Sequence, residues 1–151
     1  MMRSPASIFD ELVSRMPLLT PEVIHRPPLC AAIDGVESAH IRCILQLLND
    51  DFQGCQETIS LYHGNDNLLK YMKAVCLRRM LDFEASSAIF EELHKEKYPL
   101  IDEIYKRPLT YDKFLDKVVE LEIRDNSAMR YNLEAIQFSE LKILYKHALL
   151  A

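Results

Sequence analysis

At 151 residues, 49% hydrophobic and with only three glycines, the chain is long enough to bury a core within one domain. Its formal net charge of -5 argues against nucleic acid and anionic membrane as direct partners, because phosphate contacts need a basic surface. No run approaches the roughly 18 apolar residues of a membrane span, and the first residues lack the basic-then-apolar layout of a secretory signal, so an intracellular protein, cytoplasmic or nuclear, is expected.

In chain order, Ser4 and Pro5 supply a helix cap and a first-turn proline, and Ile8, Phe9, Leu12, Val13 and Met16 follow at helical spacing until Pro17. Thr20-Pro21-Glu22 repeats the start signal, which predicts a short helix to Arg26, stopped by Pro27-Pro28. Residues 27–35 read as an irregular connection. A helical hairpin is predicted over 36–63, with its turn at Asn49-Asp50-Asp51, and Gly64-Asn65-Asp66 punctuates its end. A second hairpin follows over 67–97. Pro99 and Pro108 bracket a short helical piece from Leu100 to Tyr105, and Thr110 caps a helix over 111–124 whose Phe114, Leu115, Val118, Val119 and Leu121 form one stripe. Asn126-Ser127 restarts the chain into a last helix reaching Leu150. No alternating strand pattern is present, so the fold class is all-α, one domain over 1–151.

The two predicted hairpins echo each other. Asp51-Phe52 in the first recurs as Asp82-Phe83 in the second, 31 residues later, each after an apolar helical segment. Aligned on the phenylalanines, Cys43 with Cys55 and Ala74 with Ser86 become the small residues where paired helices cross, and Ile59 and Phe90 take the large apolar position later in the second helix. This pattern resembles the tetratricopeptide family, whose period is about 34 and which departs from this chain where Arg42, Lys70 and Lys73 replace large apolar residues. The resemblance implies a right-handed superhelix of two hairpins over 36–97, capped by N-terminal helices and connection in 1–35 and by C-terminal helices in 98–151. A second set of segments, Lys73-Ala74-Val75-Cys76-Leu77, Phe83-Glu84-Ala85-Ser86, Leu100-Ile101-Asp102-Glu103-Ile104 and Thr110 through Val118, is similar in order to the homology domain of telomeric repeat-binding factors. That similarity implies a dimerising, peptide-docking domain.

Chemistry-bearing motifs are sparse. Cys30, Cys43, Cys55 and Cys76 contain no Cys-x-x-Cys pair, so reduced thiols are expected. His40, Cys43, Cys55 and His63 could be drawn into a zinc site, although small buried cysteines explain the pair better. No nucleophile with its base, phosphate-cradling loop or metal-binding His-Glu pair is recognisable, so no catalytic, cofactor or metal residue is assigned. The expected activity is that of a non-enzymatic adaptor or scaffold binding a peptide or helix of a protein partner. The alternatives are the telomeric-factor type of dimer and, in another class, an enzyme or metal protein whose groups converge from distant helices.

Two partner-binding surfaces are predicted. The helix from Asn67 carries Lys70, Lys73, Arg78 and Arg79 and no acid before Asp82, and the tetratricopeptide resemblance places it along a concave groove. Lys70, Lys73 and Arg78 are therefore candidates for an acidic peptide, against the plainer reading of a solvated face. The last helix is apolar nearly all round: Met129, Leu133, Ile136, Ile143, Leu144 and Leu150 form one stripe, and Tyr131, Phe138, Leu141, Tyr145, Ala148 and Leu149 another. The second stripe, with Phe138, Leu141 and Tyr145 at its centre, needs cover from a partner, from a second copy in a homodimer, or from the N-terminal helix folding back.

Overall fold

The computed structural model describes residues 3–106 and 108–151, and among them every regular element is helical. The helices are α1 (Pro5–Leu12), α2 (Cys30–Asp34) entered through a 3-10 turn at Pro27–Leu29, α3 (Ala39–Leu48), α4 (Phe52–Leu61), α5 (Asn67–Arg79), α6 (Phe83–Lys95), α7 (Pro99–Ile104), α8 (Tyr111–Ile123) and α9 (Ser127–Leu150). Their starts are written locally. The side chains of Ser4, Ser38, Asp51, Asp66, Asp82, Thr110 and Asn126 each accept the backbone N–H three residues on, meeting an amide that the helix leaves without an internal partner.

Three ends are also written alike. After α3, α5 and α6 the chain passes through a left-handed residue, Asp50 (φ 59°), Leu81 (φ 71°) and Lys97 (φ 57°). The next amide then reaches back to the helix: Asp51 to Gln46 O, Asp82 to Leu77 O and Tyr98 to Leu93 O. These are Schellman ends, which absorb the last carbonyls of a helix while reversing the chain. The Asp51 and Asp82 that close α3 and α5 in this way also cap α4 and α6, so only three residues separate the helices in both places.

α3 packs on α4 and α5 on α6, and α4 meets α5 in turn. Where α3 crosses α4, Cys43 Sγ lies 3.1 Å from Cys55 Sγ. Where α5 crosses α6, Ser86 Oγ donates to Ala74 O at 2.7 Å. The small side chains fall at the crossings, as their alignment implied. α9 lies along α3 and also touches α5, α7 and α8, so the first helix of each pair faces it. α1 rests on α3, and Phe9 stacks on Tyr145 of α9 with centroids 3.8 Å apart.

Four sequence expectations change. Residues 20–26 are not helical, whereas 27–34, expected to be irregular, hold the 3-10 turn and α2. The backbone of 18–26 is spent on distant partners: His25 N donates to Asn49 O (2.9 Å), Arg26 N to Asn49 Oδ1 (2.8 Å) and Leu19 N to Glu134 Oε2 (3.0 Å). An isolated two-turn helix is marginal, and these long-range bonds outweigh it. α1 stops at Leu12 rather than Met16, and Arg15 beyond it reaches Asp50. The second stripe of α9 is covered within the chain only in part: Leu141, Tyr145 and Ala148 are buried, with Phe9 of α1 stacked on Tyr145, whereas Tyr131 and Leu149 stay exposed. Phe52 and Phe83, the residues on which the two pairs align, are half-buried and pack against the core.

Candidate functional site

The four cations of α5 part company at its middle. Lys70 and Lys73 sit on its solvent side, while Arg78 and Arg79 in the last turn are fully enclosed. Arg78 Nη2 donates to Glu140 Oε1 at 2.6 Å and to Gln137 Oε1 at 3.0 Å, both on α9. The second oxygen of Glu140 accepts from Tyr71 OH at 2.6 Å and from Tyr105 OH, and the Arg78 guanidinium lies 4.8 Å above the Phe114 ring. Burial pulls the Arg78 guanidinium down, but Glu140, Tyr105 and Tyr71 together more than offset this and hold it above its ordinary value. Burial, reinforced by the Glu140 charge, pushes the Tyr71 and Tyr105 phenols well up, so both remain donors.

Arg79 turns the other way. It donates to Leu47 O (2.7 Å), Leu18 O (2.9 Å) and Asp50 Oδ1 (2.6 Å), and stacks 5.0 Å above Phe52. Burial here outweighs the Asp50 charge and lowers its affinity for the proton, although a guanidinium remains charged throughout the physiological range. Asp50 also takes Arg15 at 2.8 Å, and Gln137 Nε2 donates to Leu18 O at 3.0 Å, which joins the two clusters through one carbonyl. The N-terminal arm, both helix turns and α9 are thereby tied at a single interior seam. The Nε–H of Arg15, Arg78 and Arg79 finds no acceptor, a cost of about 1–3 kcal/mol for each fully desolvated donor. Enclosed in this way, the seam offers no reactive group to a substrate; its chemistry is that of a clamp on α9.

The solvent side of α5 opens a small cleft of about 150 Å³, lined by Ile59, Tyr62, Asp66, Leu69, Lys70 and Lys73 among others. Its lining joins apolar side chains with two lysines and one carboxylate, Asp66. Lys70 is partly engaged by α6, at 3.0 Å from Glu92 and 3.8 Å from Glu96, and these carboxylates raise its affinity for the proton. Lys73 is exposed. At the cleft's other end Asp66 caps α5 and stands 2.7 Å from His40 Nε2. Burial works against its charge, yet the Leu69 amide and His40 together hold its carboxyl below the ordinary range.

Of the residues predicted for partner binding, the structure therefore brings Lys70 and Lys73 together at one cleft and separates the others from them. Arg78 is occupied by Glu140, Leu141 is buried, and Tyr145 lies beneath Phe9. Phe138 is half-buried with Lys142 Nζ 4.2 Å above its ring. Of the four residues considered for zinc, Cys43 and Cys55 face each other while His40 turns to Asp66; among the described residues no group of three or more His, Cys, Asp or Glu side chains is placed to hold a metal. Among the described residues no helix is long and apolar enough to cross a membrane. Glu140, Gln137, Tyr71 and Tyr105 escaped the sequence reading. The signal was Glu134, Gln137 and Glu140, three polar residues spaced three apart among the apolar residues of α9, a run that anticipates buried donors. Comparison of the chain with protein-family models, with curated proteins and with solved structures finds no match.

Proposed function

We propose that the chain is a non-enzymatic, tetratricopeptide-like scaffold that holds an acidic segment of a protein partner at the cleft between the end of α4 and α5. The observation that carries this reading is that apolar side chains, Ile59, Tyr62 and Leu69, line one cleft together with Lys70 and Lys73. A volume of about 150 Å³ suits one anchoring side chain, with flanking carboxylates paired to the lysines. The superhelical reading is supported by the equivalent crossings at Cys43/Cys55 and Ala74/Ser86. The face that would be the concave groove of such an array is covered by α9, which moves the partner surface outward to the cleft.

An array of short peptides in which an aliphatic or aromatic residue is flanked by Asp and Glu tests the proposal. Binding should weaken with salt and be lost in Lys73→Glu, with thermal stability unchanged to within about 0.5 kcal/mol. Peptide binding that survives Lys73→Glu, or an array with no acidic binder, overturns it. A homodimer of the telomeric-factor type is the second reading, favoured by Leu149 and Leu150 at the end of α9, which are 54% and 78% exposed. Solution mass by light scattering separates the two.

A further inference from the structure

Three of the four cysteines converge on one point of the core, from three different helices. Cys43 of α3 and Cys55 of α4 are both fully buried, with sulfurs 3.1 Å apart, about an ångström more than the ~2.05 Å of a disulfide bond. Cys76 of α5 is buried close by, its Sγ 3.6 Å from Phe52 O at the start of α4 and 3.7 Å from Met80 Sδ. The crossing does not demand this chemistry. At the equivalent point of the second pair, Ala74 and Ser86 make the same approach of two helices with a hydroxyl-to-carbonyl bond instead. Cysteines at both partners of the first crossing are therefore more than small residues that fit.

We propose that Cys43 and Cys55 are a dithiol modification site, converted by a hydroperoxide to a disulfide that locks α3 to α4. One thiol, as thiolate, attacks the peroxide O–O bond; its sulfur takes one oxygen as sulfenic acid and the other oxygen leaves as water. The second thiol's sulfur then displaces hydroxide from the sulfenic sulfur, forming the S–S bond, and the released proton completes a second water. Two thiols and one hydrogen peroxide thus give one disulfide and two waters, with sulfur oxidised and peroxide oxygen reduced. Because both sulfurs are enclosed, the first step waits on local opening of the short α4, and the nearby partner sulfur captures the sulfenic acid before further oxidation. Cys30, half-exposed and apart from the cluster, provides an internal standard for simple accessibility.

The test uses the full reduced chain, exposed to hydrogen peroxide, then unfolded, alkylated and mapped by mass spectrometry. The expected result is loss of Cys43 and Cys55 as alkylatable thiols, a Cys43–Cys55 linked peptide, a higher denaturant midpoint for the oxidised form, and reversal of all three by dithiothreitol. The double variant Cys43→Ala/Cys55→Ser copies the second crossing; it should keep its helicity by circular dichroism and lose the linked peptide. Full alkylation of Cys43 and Cys55 after Cys30 has been oxidised would overturn the proposal, as would a link joining Cys55 to Cys76 or joining two chains.

Discussion

The α3–α4 pair and the α5–α6 pair share a backbone plan and differ in what they bury. Both end their first helix in a Schellman turn, begin the second with an Asp cap and a half-buried phenylalanine, and place small residues at the crossing. Yet Leu47 and Leu48 at the end of α3 correspond to Arg78 and Arg79 at the end of α5, and all four are buried. The left-handed position is Asp50 in the first turn and Leu81 in the second. The backbone plan is thus indifferent to the chemistry placed on it. What decides the chemistry is the neighbour: α3 presents leucines to an apolar surface, while α5 presents arginines to Glu140 on α9 and to Asp50 on the preceding turn. Asp50 is the one left-handed residue of the three that is buried and ion-paired, and it serves the other pair.

Exchanging residues between the pairs gives the sharpest tests. Arg79→Leu, which installs the residue of position 48, leaves Asp50 without one of its two cations and removes one of the donors to Leu47 O and to Leu18 O; a loss of about 3–5 kcal/mol is expected in urea unfolding. Phe52→Ala should cost about 2 kcal/mol, since a half-buried ring and its contact with Arg79 are both lost, and Phe83→Ala nearer 1 kcal/mol, without such a contact; equal costs would remove the distinction. Leu81→Gly should raise stability by about 0.5 kcal/mol, because glycine escapes the left-handed penalty but gains freedom when unfolded. A loss there would mean that the half-exposed Leu81 side chain has a packing role.

The smallest effect is a pH dependence at Asp66. Its folded carboxyl is held below its unfolded value of about 3.9. Its contribution is therefore complete above that unfolded value and is lost as pH falls through the lower folded one. The stability gap between the native chain and Asp66→Asn should be constant near neutrality and close below about pH 4; a gap that widened on acidification would reverse the assignment.

Helices α3 to α6 were legible because their signals are local: a cap within three residues, a turn dipeptide, a stripe. The arm from 18 to 26 was not, since its backbone bonds to Asn49, Arg79, Gln137 and Glu134, and no window of sequence contains those partners. The same limit governs the cations of α5. Lys70 and Lys73 lie one turn apart and were readable as a surface pair. Arg78 looked like a third member, and only the position of Glu140, 62 residues on, turns it inward. Phe138, Leu141 and Tyr145 were read as a stripe needing cover; that Phe9 of α1 lies over Tyr145 depends on where Pro17 and the seam place the arm.

The central claim is that α9 is held against α3 and α5 by a buried pair rather than by apolar contact alone. A double-mutant cycle on Arg78→Leu and Glu140→Met, read by urea unfolding, addresses it directly. Each single change should cost about 3–5 kcal/mol by stranding its partner, and the double variant should cost far less than their sum. Additive losses, with a coupling below about 0.5 kcal/mol, would contradict the account and leave α9 held by its leucines alone.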